Sequence, residues 1–533
     1  MFGSECFLVL CISLFASCAR FDFHPSLHHG NKRNAAVKIR LTKSVFEQLN
    51  DVGMEILKEE VPKVKIPDII RDVPNPKGKI RLTNVKIKNF KAGKSSIHLK
   101  APRDLVWKIQ DVAATLTANL GGHVVVPLQG SLDMMASRIS AKITAVVEKT
   151  KERKFRIKST SCTARFGHID LRVHNGGLAG QAINTNPQIK AQAINGFRPS
   201  LVNGLCPMAT KFVDKNLNGQ LANLPFKLSL RDMGLSAQEK KSMDMMVPGW
   251  HNLVVDYQLM DDPYMTAGYM ESPHVGEVSW KGQSKTPFGS PFIYVHHKEK
   301  TKKMFSIYIS DYLPNSLLYN AFKNDLLNFR LTPETPGLGK FFKTTCDPES
   351  RPYCLGDLIP GLTKAFPNQQ TELYITMERA PSMIFYQQNG GTIKMEGKGP
   401  VFLLVRNPRK RSLDPILRVF LDFKADSKVK VRENRYLSAD LKFERFRMRL
   451  IDSAIEEVDN YVVEDLSGLV KGELERRATS LMGHGMPIPG LPGVTLSDSD
   501  VLLYSRAMRI SSDVKFDKQM LLDMVKKAIT PGG

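Results

Sequence analysis

The sequence predicts an α+β protein made of two similar halves, because a strand-then-helix unit occurs twice. Apolar residues alternate with polar ones at 37–41 and 305–309, which is typical of half-buried strands. Each strand runs into a stretch with apolar residues at helical spacing, the first at 44–61. A chain of 533 residues is too long for one ordinary domain. Two pseudo-symmetric domains are therefore predicted.

The first half continues with a sheet and a second helix. Prolines at 62 and 67 end the first helix. Period-two segments at 139–147 and 169–173 then predict antiparallel strands with one apolar and one polar face. A second helix is predicted at 200–218, with Leu201, Leu205 and Cys206 on it.

The second half repeats this order. Segment 261–285 is rich in Pro, Gly and Ser and is interpreted as a linker. Strands at 383–387 and 392–395 flank an Asn-Gly-Gly hairpin turn, and apolar residues at 451–474 predict a long helix. The predicted organisation is a signal peptide at 1–19, an N-terminal barrel domain at 20–260, the linker at 261–285, a C-terminal barrel domain at 286–515 and an amphipathic tail at 516–533.

Charge and the N-terminal residues indicate where the protein acts. The formal net charge of +23 favours partners that carry phosphate or other anionic groups. An apolar run at 7–15, followed by the small residues Ser17, Cys18 and Ala19, is typical of a secretory signal. We therefore expect a secreted, extracellular protein.

Four cysteines remain after such a signal is removed: Cys162, Cys206, Cys346 and Cys354. An even number favours disulfides in an oxidising compartment, and three pairings are possible. Cys162–Cys206 with Cys346–Cys354 is favoured because each pair then lies within one half of the chain. No CxxC motif or clustered histidine points to a metal site.

Enzyme motifs are lacking in the sequence. It contains no GxSxG elbow and no HExxH, and Gly93-Lys94-Ser95 lacks the upstream glycine of a phosphate loop. We expect no enzyme activity, no catalytic residue and no cofactor.

A basic run at 77–100 has two interpretations. Apolar residues interleave with the cations, so many lysines could be the polar face of strands. A lysine-rich tip would also attract an anionic membrane by about 1 kcal/mol per cation. Membrane docking is slightly favoured, whereas nucleic acid is not, because no aromatic residues interleave for base stacking. The expected headgroup contacts are Lys77, Lys79, Arg81, Lys86 and Lys88.

Several segments resemble one known family. The stretch 37–68, the places of Cys162 and Cys206, and segments 309–312, 380–391 and 485–489 are similar to the family of bactericidal/permeability-increasing protein and lipopolysaccharide-binding protein. Cholesteryl ester transfer protein is a relative in the same tubular lipid-binding superfamily. The likeness spans most of 35–515.

This resemblance implies a boomerang of two barrel-like domains, each a twisted antiparallel sheet with two long helices, joined by a central sheet. It implies one apolar phospholipid pocket per domain and no covalent chemistry. The ordinary alternative is that the apolar helix stripes form solid cores. The residues expected to contact bound phospholipid are Phe46, Leu49, Val52, Ile56, Leu201, Leu205, Leu318, Phe322, Val458 and Val462.

Three functions follow from this interpretation. The first is a phospholipid-binding and transfer protein that docks on anionic membranes. The second is an innate-immune protein that binds lipopolysaccharide, but a loop near 118–129 contains no Lys or Arg where such relatives carry a second basic loop. The third is a structural or receptor-binding protein with vestigial pockets. The missing cations favour the first.

Overall fold

Two domains and a sheet between them make up the fold, seen in a computed structural model. This confirms the predicted pseudo-symmetric α+β class and the central sheet. The described residues are 22–529, without 64–65, 67, 75–76, 125, 233–235, 238–239, 242–243, 245–246, 284, 295–301, 336–338, 348–353, 360, 407–411, 435, 485 and 488–492. The predicted signal peptide at 1–19 therefore lies outside the described residues.

The N-terminal domain is a curled antiparallel sheet closed by helices. Its strands are β2 (Ile69–Pro74), β3 (Lys77–Lys91), β4 (Lys94–Lys100), β5 (Asp104–Val124), β6 (Val126–Lys149), β7 (Phe155–Arg165) and β8 (His168–His174). The order is β2-β3-β5-β6-β7, with β4 beside β5 and β8 beside β6. The helices are α1 (Lys43–Glu60), α2 (Gly177–Thr185), α3 (Pro187–Lys211) and α4 (Asn218–Ala222).

The C-terminal domain follows the same plan. Its strands are β15 (Phe329–Leu331), β16 (Thr371–Ile375), β17 (Ser382–Tyr386), β18 (Thr392–Arg406), β19 (Leu413–Arg432), β20 (Tyr436–Ser453) and β21 (Met486–Pro487). Their order is β15-β16-β18-β19-β20-β21, with β17 beside β18. The helices are α5 (Tyr312–Lys323), α6 (Leu355–Leu358), α7 (Leu362–Ala365) and α8 (Asn460–His484).

The central sheet contains strands from both halves. Its order is β11-β12-β1-β14-β23-β22, from β1 (Val37–Thr42), β11 (Tyr264–Met265), β12 (Tyr269–His274), β14 (Phe305–Ser310), β22 (Val494–Tyr504) and β23 (Ala507–Phe516). The first strands of the two repeats are neighbours, with Val37 opposite Ile309. Because Val37 and Ile510 are fully buried, this sheet is the shared core of the molecule.

The linker interpretation of 261–285 missed regular structure. This segment supplies β11, β12 and β13 (Glu277–Trp280), and β13 joins β10 (Leu253–Asp256) and β9 (Lys227–Ser229) in a small sheet. Met265 is fully buried and Val278 almost so. Strands of two to six residues are too short to show a clear period in the sequence, so only the tertiary pairing reveals them.

The second helix of the N-terminal half begins earlier than the predicted 200–218. It starts at Pro187, follows the separate helix α2, and passes through a π-helical segment (Phe212–Leu217) into α4. Asn186 accepts hydrogen bonds from the backbone N–H groups of Gln188 and Ile189 and so fixes the start.

The helix predicted at 451–474 also begins elsewhere. Ile451 belongs to β20, and Ala454 and Ile455 lie between the strand and α8. The Asp459 side chain accepts a hydrogen bond from the backbone N–H of Val462 at 3.0 Å, so the cap places the helix start after it. Apolar residues shared by a strand end and a helix had been interpreted as one stripe.

The chain ends on α9 (Lys518–Ile529), within the predicted amphipathic tail. Lys518 Nζ lies 2.7 Å from Glu59 Oε1 and 3.2 Å from Glu55 Oε2, both on α1, so the helix is anchored to the N-terminal domain. No helix in the described part of the chain is both long and apolar enough to cross a bilayer.

Both favoured disulfides are present. Cys162 on β7 is bonded to Cys206 on α3, and Cys346 is bonded to Cys354. This confirms the pairing within each half.

Candidate functional site

Two apolar cavities lie between the N-terminal sheet and helix α3. The sheet supplies alternate residues of its inner face, and α3 supplies Ala193 and Phe197. Leu132 and Phe197 line both cavities, so the two are separated by little more than these side chains. The other wall residues include Leu82, Leu116 and Met134 in the first cavity and Leu128, Leu171 and Ile183 in the second.

The cavities are small in this conformation. Each leaves about 20 Å³ open to the centre of a water molecule, which is roughly the room of one water. The walls are almost entirely hydrocarbon, with Leu171, Leu132 and Met134 buried. A dry apolar space is suited to hydrocarbon and offers water no hydrogen-bond partners.

Polar contacts fasten the helical wall to the sheet. Lys190 Nζ lies 2.5 Å from Asp170 Oδ1, and this hydrogen bond holds the pKa of the Asp170 carboxyl below its usual value. Arg198 donates to the carbonyl oxygen of Phe166 at 2.9 Å. Asn184 on α2 exchanges two hydrogen bonds with the backbone of Val173. The helices therefore rest on the sheet through edge contacts, whereas the interior contact is apolar.

The stripe predicted on α1 lies elsewhere. Phe46 and Ile56 are buried and Leu49 and Val52 are half-buried, but none of them lines these two cavities. Phe46 and Leu49 pack in a cluster that includes Val45, Leu99, Val147, Met265 and Val514, where the N-terminal barrel meets the central sheet. Lipid contact by this stripe stays a prediction.

Helix α1 also carries a polar network. Ser95 Oγ donates to Asn50 Oδ1 at 2.6 Å, and Trp107 Nε1 donates to Ser95 Oγ at 2.8 Å. Asn50 is 7% exposed. These bonds fix α1 against β4 and β5.

The remaining predicted lipid contacts are divided between the domains. Leu201 and Leu205 lie on α3, and their side chains are outside what the structure describes. Leu318 is half-buried on α5, and Phe322 packs beside a cluster of aromatic residues. Val458 and Val462 belong to the C-terminal core.

Sequence reasoning missed Phe197 and Leu132. A signal was available for the first, because Ala193 and Phe197 continue the four-residue spacing of Leu201 and Leu205. Leu132 offered no such signal, since it lies at a sheet position whose facing depends on register.

The predicted basic tip is formed by the β2–β3 hairpin. Lys79 and Arg81 are exposed, as are Lys86 and Lys88 further along β3, and the structure gives these four no ion-pair partner among the residues it describes. Lys77 lies at the start of β3, and its side chain is outside the described residues.

The neighbouring β5–β6 hairpin lies beside this basic strand. Lys79 is opposite His123 and Arg81 is opposite Gly121. A Cβ at Gly122 would lie 2.0 Å from the carbonyl oxygen of Lys79, so glycine permits the close approach of β5 to β3. Val126, at the start of β6, is 41% exposed. The second hairpin therefore adds a small apolar surface to the tip and no Lys or Arg.

Comparisons with known proteins cover both halves. Residues 46–219 match the N-terminal domain, and 251–516 the C-terminal domain, of the LBP / BPI / CETP family. A bactericidal permeability-increasing protein of Sebastes schlegelii is 21% identical over 499 residues, covering 91% of this chain and 96% of the relative. A lipopolysaccharide-binding protein of Rattus norvegicus is 21% identical, covering 91% and 94%. A crystal structure of lipopolysaccharide binding protein aligns with a TM-score of 0.50 at 18% identity, over 91% of this chain and 99% of that chain.

Proposed function

Because the chain belongs to the LBP / BPI / CETP family, we propose that it is a secreted, non-enzymatic protein that binds phospholipid and transfers it between membranes. The observation that carries this proposal is the hydrocarbon-lined space between the N-terminal sheet and α3. The two disulfides support an extracellular site of action, because disulfides persist in oxidising compartments.

A carrier of this kind must cover acyl chains almost completely. Two chains with about 30 methylenes would cost about 24 kcal/mol to expose to water. Moving them from a bilayer into an apolar pocket leaves that free energy nearly unchanged, so uptake and release are both feasible. The protein then acts on the barrier.

Lipid uptake requires the N-terminal cavities to enlarge. Room for about one water per cavity is far less than an acyl chain needs. Movement of α3 away from the sheet would join the cavities once the Phe197 ring leaves the wall between them. The edge contacts Lys190–Asp170 and Arg198–Phe166 are exchangeable with water and permit such movement.

The tip of the N-terminal barrel is proposed to dock on anionic membranes. Lys79 and Arg81 would contact headgroups, each contributing about 1 kcal/mol. Val126, on the adjacent hairpin, would contact the upper part of the acyl region. Docking at this tip would bring the cavity end of the barrel close to the donor bilayer.

Lipopolysaccharide binding is the second candidate. The names of the relatives and the basic β2–β3 hairpin favour it. The hairpin at 118–129 has no Lys or Arg to contact a second phosphate, which favours the phospholipid carrier. The two functions differ in ligand and in whether the ligand is passed on.

Mass spectrometry of lipids extracted from the purified protein tests the proposal. We expect phospholipid at a defined stoichiometry, together with transfer of labelled phospholipid between vesicles. Nanomolar affinity for lipopolysaccharide without measurable phospholipid transfer would favour the second candidate instead. Recovery of protein free of lipid, with neither activity, would favour the structural or receptor-binding interpretation.

A further inference from the structure

Two lysines face each other across the outer surface of the N-terminal sheet. Lys108 on β5 is directly opposite Lys142 on β6, and both are exposed. Like charges at directly opposed positions of an antiparallel pair are destabilising. A pair retained in the middle of a sheet, away from the basic tip, indicates that an anion stabilises it in function.

Two more cations complete a cluster. Lys94 on β4 is opposite Gln110, two residues from Lys108, and Arg165 on β7 is opposite Ser140, two residues from Lys142. We call Lys94, Lys108, Lys142 and Arg165 the cationic quartet. It crosses β4, β5, β6 and β7, which is three strand spacings or roughly 14 Å.

The quartet has little counter-charge. All four side chains are exposed, and none has an ion-pair or hydrogen-bond partner in the described part of the chain. Glu148 is engaged with Arg156 at 3.8 Å, Asp104 is opposite Lys100 two rows away, and Asp111 lies in the bulge beyond Gln110. The two rows that contain the quartet hold no carboxylate.

The residues between the cations are polar and uncharged. Ser96 is opposite Lys108, Thr163 is opposite Lys142, and Gln110 and Ser140 lie in the adjacent row. Apolar and aromatic side chains, which would insert into a bilayer, form a protein hot spot or stack on bases, are not part of these two rows. The sheet beneath is rigid, since Ile143 is buried and Cys162 is disulfide-bonded on the inner face.

We propose that the cationic quartet binds a linear sulfated polysaccharide. Sulfate groups along the chain would bridge Lys108 and Lys142 and relieve their repulsion. The sugar hydroxyls would bond Ser96, Thr163 and Gln110, and Arg165 would form bidentate hydrogen bonds with a further sulfate. This site is independent of the lipid cavities, because its side chains lie on the opposite face of the sheet.

Heparin binding to the full chain, measured by surface plasmon resonance, tests the proposal. The variant Lys108→Gln/Lys142→Gln should bind heparin about tenfold or more weakly, and the dependence of log Kd on log salt concentration should fall by about 2. The matched control Lys79→Gln/Arg81→Gln removes the same charge from the tip and should change the heparin Kd less than about twofold. Desulfated heparin should not bind the unaltered protein.

Three results would overturn the proposal. One is an equal loss of heparin binding in both variants, since affinity would then follow net charge. Another is an unchanged heparin Kd in the quartet variant. The third is a loss of binding to vesicles containing phosphatidylserine as large as the loss of heparin binding, which would make the quartet a lipid-docking surface. The free energy of unfolding of the quartet variant should be unchanged or higher, so a folding defect is distinguished from a binding defect.

Discussion

Cys162 on β7 and Cys206 on α3 form a disulfide, with Cα atoms 5.6 Å apart, that ties the cavity-covering helix to the edge of the N-terminal sheet. The two cysteines are 44 residues apart. In the chain-entropy model a loop of this length contributes about 4 kcal/mol to the free energy of unfolding. The variant Cys162→Ser/Cys206→Ser should therefore lose up to that amount in denaturant unfolding.

The second disulfide provides the control. Cys346 and Cys354 are 8 residues apart, for which the same model gives about 3 kcal/mol. Lipid release should become faster in the first variant and stay unchanged in Cys346→Ser/Cys354→Ser, because only the first bond holds α3. Peptide mapping without reduction that finds Cys162 and Cys206 as free thiols would contradict the arrangement.

The position of the lipid site can be decided with two tryptophan substitutions. Leu132→Trp would fill the space shared by both cavities and should lower the phospholipid bound per molecule. Leu49→Trp tests the stripe predicted on α1 by the same measurement. Overpacking costs about 1–3 kcal/mol, so unfolding is measured in parallel to show that each variant folds. Loss of lipid in Leu49→Trp alone would move the site to α1.

The tip cations should act on transfer rate and leave lipid content unchanged. Replacing Lys77, Lys79 and Arg81 together with Gln should slow transfer from anionic vesicles and weaken its dependence on salt, because these charges act through a screened surface field. The amount of bound lipid should not change, since acyl-chain burial holds it. The variant Lys108→Gln/Lys142→Gln serves as a control with charge removed away from the tip, and it should transfer at the normal rate. Emptied protein in the tip variant would show that charge holds the lipid.

A buried histidine should make stability pH-dependent. His274 is 2% exposed; its Nδ1 lies 2.7 Å from the Tyr257 carbonyl oxygen and its Nε2 2.9 Å from Ser272 Oγ. Burial lowers the pKa of His274 to about 4. The unfolded chain binds this proton below about pH 6.5, so stability is full above that pH and falls until the folded protein titrates near pH 4.

The loss from this residue is about 3 kcal/mol between those pH values. His274→Asn keeps a donor for the Tyr257 carbonyl and should flatten the change in unfolding free energy from pH 6.5 to 4, at lower stability overall. His98→Asn, at an exposed histidine, should leave that slope unchanged. Equal slopes in all three proteins would show that His274 does not contribute.

Local patterns in the sequence determined the two-half organisation. The alternation at 37–41 and 305–309 specifies strands, because successive side chains point to opposite faces. The regular stripe at 44–61 specifies α1 for the corresponding reason at helical spacing. Cys162 and Cys206 could be paired because both lie in the same half of the chain. These features depend on neighbours a few residues away or on one long-range constraint.

Tertiary structure decided the rest. Whether Leu132 faces a cavity, and whether Lys108 meets Lys142, depends on strand register, and a slip of one residue would reverse every facing. Ile451 is a strand residue because β20 pairs with β19 up to Ser453 and Asp459 caps the next helix. The short strands at 264–280 are stable only through burial in sheets built from both halves of the chain. Register, capping and burial join residues far apart in sequence, which is why they could not be predicted from local periodicity.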